Sequence, residues 1–200
     1  MSKHGRTTHE RSPRDFYPTP VAAIVPLLKE LHRATPLRFV EPCAGDGALI
    51  RALEAAGHTC VHARDLAPRG AGIVTGDGAA LTKDQITLWG ADAIITNPPF
   101  AAASLAPLLA CWATLGVPLW LLLDHDWSAN QGAAPYASRI SRIVQLGRVR
   151  WIAGSKGSGT ANFDWLRFEP EPLERPFIVG QRPRKALARA LAHLAGMLDF

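Results

Sequence analysis

The sequence DAIITNPPF, at residues 92–100, joins a short apolar run to an amide, two prolines and an aromatic ring. Residues 93–95 are predicted to form a buried strand, because a short apolar run bounded by turn-forming residues is typical of a strand inside a sheet. Pro98 and Pro99 have no backbone N–H and cannot extend a sheet ladder. Asn97 is therefore expected at the carboxyl end of the strand, which is the edge where open α/β sheets bind ligands.

The groups at this turn suit the chemistry of an exocyclic amino group on a nucleobase. The lone pair of such a group is delocalised into the ring, so the nitrogen must be drawn toward tetrahedral geometry before it can attack. The side-chain oxygen of Asn97 and the carbonyl of Pro98 are predicted to accept its two N–H groups. Phe100 is predicted to stack on the base. The alternative is a purely structural turn, because Pro-Pro commonly follows the end of a strand in a turn.

A strand, a tight loop with the sequence PCAGDG and an Ala- and Leu-rich helix are predicted in succession over residues 37–56. Gly45 and Gly47 allow close approach of the backbone to a ligand at the helix N-terminus. The loop lacks the third glycine of the dinucleotide fingerprint and the Lys-Ser/Thr of a phosphate loop, so NAD and ATP are disfavoured. Glu41, just before the loop, suits a cationic amino acid better than a phosphate.

Two aspartates follow the next predicted strands. Asp65 ends a strand at residues 59–64, about 20 residues past the glycine loop, where this architecture places a carboxylate on the ribose hydroxyls of a cofactor. Asp77 follows a short third strand and is predicted to accept a hydrogen bond from the adenine amino group of a cofactor. Aspartates are also common in turns, which is the structural alternative for both residues.

The apolar run at residues 117–123 predicts a further parallel strand, and Asp124, His125 and Asp126 follow it. These are metal-ligand residue types, but adjacent positions in a strand point to opposite faces, so no metal site is expected. Asp124 or His125 is instead predicted to line a substrate pocket.

The segment from 138 to 162 carries basic residues and no Asp or Glu. Residues 148–151 form an edge-strand pattern, 153–160 a glycine-rich loop and 163–168 a returning strand. Basic side chains interleaved with aromatic ones suit phosphate contact and base stacking, and a solvated hairpin is the alternative. The predicted phosphate contacts are Arg148, Arg150 and Lys156, and the predicted stacking residue is Trp151, with Trp165 as the reserve.

Composition limits the class of protein. The chain has 200 residues, of which 48% are hydrophobic, and a formal net charge of +5. One well-packed domain is expected, and the positive charge permits a polyanionic partner. The apolar stretches are too short to span a bilayer and the N-terminus has no apolar core, so a cytoplasmic protein without a membrane partner is expected. Three cysteines without a Cys-x-x-Cys pair indicate neither a disulfide framework nor zinc.

Three motifs together resemble those of the S-adenosylmethionine-dependent amino-methyltransferases that act on adenine N6, and less often cytosine N4, in DNA. DFYPTP at 15–20, EPCAGDG at 41–47 and NPPF at 97–100 follow the gamma order of that family. The resemblance covers most of residues 15–168. It is to the small, solitary members of the family, of the phage or prophage type, because a chain of this size has no room for a separate target-recognition domain. It implies a Rossmann-like class I α/β fold, with a mainly parallel seven-stranded sheet and an antiparallel last strand.

The resemblance also implies roles for the motif residues. The first motif would close over the methionine end of S-adenosylmethionine, and Glu41 would face the same end. Cys43 lies before the glycine loop and is interpreted as a packing residue of the cofactor site, not as a nucleophile. Trp151 would cover the second face of an extruded base. The implied catalytic residues are Asn97, Pro98, Pro99 and Phe100, and the implied cofactor-binding residues are Phe16, Tyr17, Thr19, Glu41, Cys43, Ala44, Gly45, Gly47, Asp65, Asp77 and Asn97.

The predicted function is methyl transfer from S-adenosylmethionine to adenine N6 in DNA, on a base extruded into the pocket. Cytosine N4 in DNA, adenine N6 in RNA and glutamine in a protein are the alternative substrates, and a non-catalytic nucleic-acid-binding module is the alternative class. The predicted organisation is a basic tail at 1–14, a methyltransferase domain at 15–170, and a Pro-rich link with an amphipathic helix at 171–200. That helix is expected to pack on the domain or on a dimer partner.

Overall fold

The computed structural model describes residues 17–31, 35–151 and 161–176. The predictions for the basic tail, Phe16, Lys156 and the C-terminal helix lie outside these residues. The helices are α1 (Val21–Leu31), α2 (Ala48–Ala55), α3 (Lys83–Trp89) and α4 (Ala102–Trp112). The strands are β1 (Arg38–Glu41), β2 (Thr59–Asp65), β3 (Val74–Thr75), β4 (Ala93–Thr96), β5 (Leu119–Asp124), β6 (Ile140–Arg148) and β7 (Asn162–Phe168).

The strands form one seven-stranded sheet in the order β3-β2-β1-β4-β5-β7-β6. The pairings from β3 through β5 are parallel, and β7 runs antiparallel to both of its neighbours. The predicted fold class is therefore confirmed. Within the described residues, no helix is long and apolar enough to cross a membrane.

Helices cover both faces of the sheet because the central strands are apolar on both sides. Every residue of β4 is buried, as is nearly all of β5. Ile94 and Leu121 pack with residues of α3 and α4, whereas Ile95 and Leu122 pack with residues of α1 and α2. We call these sides the α4 face and the α1 face. This two-sided burial is typical of parallel strands in α/β proteins.

Local sequence signals explain where two of the helices begin and end. Gly47 precedes α2 in the left-handed conformation with φ 78°, which glycine adopts without strain. In α3, Thr82 and Gln85 form a reciprocal capping box, and Gly90 ends the helix with φ 59°. These local signals define a short helix just before β4.

Thr19 and Pro107 are placed differently from what their residue types indicate at the start of a helix. Thr19 does not cap α1, because the carbonyl of Pro20 accepts the first helical bonds and the Thr19 hydroxyl is bonded to Asn97. Proline is best tolerated in the first turn of a helix, but α4 begins at Ala102, so Pro107 is its sixth residue. The missing N–H leaves the carbonyl of Ala103 without a helical partner, and both residues are exposed, so water can satisfy that carbonyl.

The predicted edge strand at 148–151 is also displaced. β6 spans Ile140–Arg148 and pairs along the full length of β7, from Phe168 opposite Ile140 to Asn162 opposite Arg148. The prediction rested on the alternating pattern of residues 148–151. The extent of β6 is instead set by its pairing with β7, which ends at Arg148. Residues 149–151 consequently lie beyond the sheet, toward its functional edge.

Candidate active site

A cavity of about 820 Å³ opens at the carboxyl ends of β1, β2 and β4. Its volume lies within the range of small-molecule and cofactor sites, and its place agrees with the ligand edge of open α/β sheets. Residues from α4 close one side, among them Ser104 and Leu108. The remaining wall comes mainly from five segments, at 17–19, 41–46, 65–67, 77–79 and 97–100.

Most of the predicted site residues meet in this cavity, although they come from five separate parts of the chain. Gly47, Trp151, Trp165, Arg148 and Arg150 lie outside its wall. The predicted residues that line it are Tyr17, Thr19, Glu41, Cys43, Ala44, Gly45, Asp65, Asp77, Asn97, Pro98, Pro99 and Phe100.

Asn97 is held by its amide nitrogen and presents its oxygen unpaired. Nδ2 donates to Thr19 Oγ1 at 3.2 Å and to the Tyr17 carbonyl at 3.4 Å. Because a backbone carbonyl can only accept, the nitrogen must lie on that side of the amide. Oδ1 is buried and has no hydrogen-bond partner among the described residues. Leaving such an acceptor unpaired costs about 1–3 kcal/mol, a cost that a ligand donor would remove.

Glu41 is the buried acid of the cavity. It is 1% exposed, and its Oε1 accepts one hydrogen bond from the backbone N–H of Cys43. Burial raises the pKa of this carboxyl from 4.5 to about 8. A positively charged ligand group beside Glu41 would reverse that shift by stabilising the carboxylate. The arrangement therefore suits a cationic ligand.

Cys43 follows in the same loop and lines the cavity. Burial raises the pKa of its thiol well above the usual range, so the reactive thiolate is disfavoured. This agrees with the interpretation of Cys43 as a packing residue and not a nucleophile.

Asp65 and Asp77 shape the turns around the cavity. Asp65 Oδ2 accepts from the Gly45 N–H at 2.9 Å, and its Oδ1 accepts from the Ala67 N–H at 2.8 Å. Asp77 Oδ1 accepts from the Ala79 N–H at 2.8 Å. The turn role considered for both aspartates is thus observed. Each carboxylate oxygen can accept a further hydrogen bond, so the turn role and a ligand role are compatible.

Two glycines support the loop without touching the cavity. Gly47 was predicted as a ligand contact, but it lies outside the wall and is required for its left-handed conformation. Gly70, which sequence reasoning missed, packs against the loop so closely that a Cβ atom there would lie 2.6 Å from the Asp46 carbonyl oxygen. Arg69 donates its backbone N–H to the Gly45 carbonyl, which ties the same segment to the loop. Only the folded packing reveals the need for glycine at position 70.

We expect Gly70→Ala to destabilise the protein by about 1–3 kcal/mol, the scale of overpacking, and to weaken ligand binding in the cavity. The new methyl group would press on backbone atoms of Asp46, which cannot rotate away. Thermal unfolding measures the loss. Gly132→Ala is the matched control, since nothing lies within 4 Å of the added Cβ there. Equal unfolding midpoints for the two variants would contradict the proposed packing.

Aromatic rings surround Phe100 at the rim of the cavity. The Trp151 ring meets Phe100 edge-on at 5.4 Å between centroids, and Phe163 lies 5.1 Å from Phe100 and 4.9 Å from Trp151. The Tyr17 ring also contacts Trp151, with 6.1 Å between the ring centroids. Trp151 was predicted to cover a base, and it lies next to the ring predicted to stack on that base. Phe163 was missed because the larger Trp165 in the same strand is the stronger stacking candidate by residue type.

The prediction of Trp165 as a reserve stacking residue is wrong. Its side chain is fully buried, and Nε1 donates to the Ala23 carbonyl at 2.8 Å. Phe163 and Trp165 point to the same face of β7, but Trp165 lies two residues deeper, under α1. It therefore packs α1 onto the sheet and is inaccessible to a base.

The basic segment divides into structural and solvent-facing arginines. Arg139 donates to the Ala113 carbonyl at 2.9 Å, and Arg142 pairs with Glu30 at 2.8 Å. Arg148 and Arg150 are exposed on either side of the buried Val149, with no ion pair to a described carboxylate. Arg148 ends β6 and Arg150 directly precedes Trp151, so both lie at the same edge of the sheet as the cavity.

Asp124 and His125 lie outside the wall of the cavity, contrary to the prediction that one of them lines it. Asp124 Oδ1 accepts from the backbone N–H of Asp126, which begins a short 3₁₀ turn. His125 pairs with Asp164 across the end of the sheet. The described residues contain no group of three or more His, Cys, Asp or Glu side chains suited to a metal ion.

Solved structures share this architecture. A proposed RNA methyltransferase from Pyrococcus horikoshii superposes with a TM-score of 0.61 at 15% identity, over 78% of this chain and 87% of its own. A proposed class I S-adenosylmethionine-dependent methyltransferase from Listeria monocytogenes gives 0.52 at 14% identity, over 98% and 74%. The 23S rRNA methyltransferase ErmE gives 0.50 at 12% identity, over 90% and 78%.

The chain has the class I methyltransferase fold. At these identities the likeness concerns the fold alone, and the activities of the three proteins are their own. No protein-family model matches the chain, and no curated protein matches it. Its function must therefore be inferred from the geometry of the cavity.

Proposed function

We propose that the protein transfers a methyl group from S-adenosylmethionine to the exocyclic amino group of a nucleobase, with adenine N6 in DNA as the leading substrate. Asn97 carries the proposal. Its nitrogen is tied back to Thr19 and Tyr17, while its buried Oδ1 has no partner among the described residues. An amino N–H arriving at the carboxyl end of β4 is the donor that would satisfy this oxygen.

The residues of the cavity fit S-adenosylmethionine. Glu41 would face the cationic amino acid end, because a nearby positive charge offsets the desolvation of its carboxylate. Asp65 and Asp77 would accept from the ribose hydroxyls and the adenine amino group, using lone pairs that the turns leave free. When bound, S-adenosylmethionine supplies a methyl group activated by its sulfonium sulfur.

The NPPF turn would hold the base itself. The Pro98 carbonyl receives no hydrogen bond from a described residue and is the second acceptor for the amino group. Phe100 lines the cavity and would stack on the base, and its ring is in contact with those of Trp151 and Phe163. Together these groups would fix the amino nitrogen for direct in-line attack, so that no covalent enzyme intermediate is required.

RNA is the second candidate polymer. Two of the similar structures are described as RNA methyltransferases. Both polymers expose the same amino groups once a base is unstacked, so the Asn97 site by itself would accept either. Cytosine N4 and the side-chain amide of a protein glutamine present similar N–H donors and are the third and fourth candidate substrates.

The proposed function is tested by incubating the purified protein with methyl-labelled S-adenosylmethionine and separate pools of DNA, RNA and protein. Label in DNA supports the leading proposal, and label in RNA selects the second candidate. Label confined to protein would move the substrate to a glutamine side chain. Absence of label in all three pools, with the cofactor bound, would favour the non-catalytic binding module.

We expect nucleic-acid affinity to fall steeply with salt concentration and to depend on Arg148 and Arg150. Neutralising either to Gln should reduce the slope of log K against log salt by about one unit, because one phosphate contact is lost. Arg142→Gln is the control, because Arg142 is already paired with Glu30. An unchanged slope in both Arg148→Gln and Arg150→Gln would show that the phosphates contact other residues.

A further inference from the structure

A buried arginine lies behind the turn that carries Asp77. Arg64 of β2 is 9% exposed, and no described carboxylate forms an ion pair with it. Its Nη1 donates to the backbone carbonyl of Asp77 at 3.2 Å, and its Nε donates to His62 Nε2 at 3.2 Å. Burying a guanidinium without a carboxylate costs free energy, so packing alone does not explain this side chain.

The Asp77 turn needs such contacts because the sheet holds it weakly. The strand before it, β3, is the edge strand, and both of its residues are exposed. Trp112 Nε1 ties the end of the turn by donating to the Gly78 carbonyl at 2.9 Å. Arg64 ties its start, and the Cδ atom of Arg64 lies 3.7 Å from the place of a Cβ atom at Gly76. Arg64 thus joins the turn to β2 where strand pairing has ended.

His62 fixes the direction of the guanidinium. Its ring is stacked on the Trp89 ring of α3, with 3.9 Å between the centroids and 7° between the planes. Burial and, to a smaller extent, the charge of Arg64 lower the pKa of His62, which favours the neutral ring. Nε2 of a neutral ring can accept the N–H of Arg64 when the ring proton is on Nδ1. The guanidinium is thus held between a stacked ring and the Asp77 carbonyl.

Asp77 presents its carboxylate at the wall of the cavity. Oδ1 accepts from the Ala79 N–H at 2.8 Å, and Oδ2 receives no hydrogen bond from a described residue. Asp77, Gly78 and Ala79 all line the cavity. An ionised carboxylate can only accept, so Oδ2 suits an N–H donor of a ligand. Because Asp77 lies on a turn, the position of this acceptor depends on the contacts that hold the turn.

We propose that Arg64 is a positioning residue that fixes Asp77 for the amino group of the cofactor adenine, and that it thereby makes the site selective for a 6-aminopurine. The proposal rests on the proposed function, because it takes S-adenosylmethionine as the ligand of the cavity. Arg64 itself contacts the backbone of the turn and lies outside the cavity wall. With the guanidinium in place, the turn is ordered before the ligand arrives, so less conformational entropy is lost on binding.

The test compares the affinities of two ligands by calorimetry. One is S-adenosylhomocysteine, the demethylated cofactor, and the other is its analogue with hydrogen in place of the 6-amino group. The parent should bind the amino ligand roughly 10- to 100-fold more tightly, the scale of one hydrogen bond to a charged group. Arg64→Met, which keeps an apolar stem, should reduce this preference by roughly tenfold, because the acceptor is no longer preorganised. Asp77→Asn should reduce it at least as far, because the charged acceptor is lost.

Two further variants control the comparison. Arg139→Met is the matched control, because Arg139 also donates to backbone carbonyls, those of Ala113 and Pro170, but lies outside the cavity wall. It should keep the parent preference. His62→Phe keeps a ring beside Trp89 and removes the acceptor for Arg64 Nε, so its preference should lie between those of the parent and Arg64→Met. This variant decides the matter if Arg64→Met does not fold.

The outcomes separate this inference from the function on which it rests. If the parent prefers the amino ligand and both Arg64→Met and His62→Phe keep that preference, the role of Arg64 is overturned while the cofactor stands. An equal loss of affinity for the two ligands in these variants would indicate structural support alone and would also overturn it. Equal binding of the two ligands by the parent would exclude recognition of the amino group, with the same result. If the parent binds neither ligand, the proposed cofactor fails and this inference fails with it.

Discussion

Asn97→Ala is expected to reduce methyl transfer by roughly 10²-fold or more, the scale of losing one preorganised polar contact in a transition state. The substitution removes the buried acceptor Oδ1 and leaves the rest of the cavity in place. Cofactor affinity should change far less, because Glu41, Asp65 and Asp77 are untouched. Single-turnover rates at saturating nucleic acid, together with calorimetric cofactor binding, measure the two effects separately.

Two variants sharpen this test. Thr19→Val keeps the Asn97 oxygen but removes the hydroxyl that receives Nδ2, so it should give an intermediate loss by freeing the amide to rotate. Asn162→Ala removes an exposed amide on β7 and is expected to have no effect. Full activity of Asn97→Ala on saturating DNA or RNA would refute the orienting role of the NPPF turn.

Cofactor binding is expected to strengthen with pH in the parent and to lose that dependence in Glu41→Gln. Without ligand, the Glu41 pKa is about 8, so below this pH the carboxyl must lose its proton to pair with a cationic group. Each pH unit below 8 then costs about 1.4 kcal/mol, or roughly tenfold in affinity. The measurement is cofactor affinity from pH 6 to 8 for the parent and for Glu41→Gln. Titration of the cofactor itself affects both proteins equally, so the difference between their affinities reports on Glu41 alone.

The same shift gives a stability prediction with a definite sign. The pKa of Glu41 is higher in the folded protein than its ordinary 4.5, so the folded state retains a proton that the unfolded chain releases. Stability from this group is complete below pH 4.5 and is lost as the pH rises toward 8. Glu41→Gln should therefore gain stability relative to the parent as the pH rises, while Glu54→Gln, at an exposed position, should not. Parallel stability curves for all three proteins would contradict the buried state of Glu41.

The parts of the fold with strong local signals could be predicted from the sequence. The apolar run of β4 ending at Asn97, the loop with Gly45 and the capped helix α3 each depend on neighbouring residues. The meeting of these segments in one cavity followed from the rule that parallel strands end at a common edge.

The errors lie where a distant partner decides the outcome. Thr19 has the residue type of a helix cap, but the Asn97 amide takes its hydroxyl across 78 positions of the chain. Trp165 has the residue type of a stacking platform, but α1 covers it. Phe163 and the His125–Asp164 pair became apparent only when the register of β5 and β7 was known. Local patterns do not specify such tertiary contacts.

The most direct test of the proposed chemistry is to locate the transferred methyl group on the nucleoside. Nucleic acid methylated by the parent protein is digested, and the modified nucleoside is identified by mass spectrometry against authentic standards, with Asn97→Ala treated in parallel. We expect a methyl group on an exocyclic amino nitrogen, with N6-methyl-2′-deoxyadenosine as the leading product. Asn97→Ala should give a strongly reduced amount of the same modified nucleoside. A methyl group on a ring carbon, a ring nitrogen or a ribose oxygen, or equal amounts from the two proteins, would contradict the proposed chemistry.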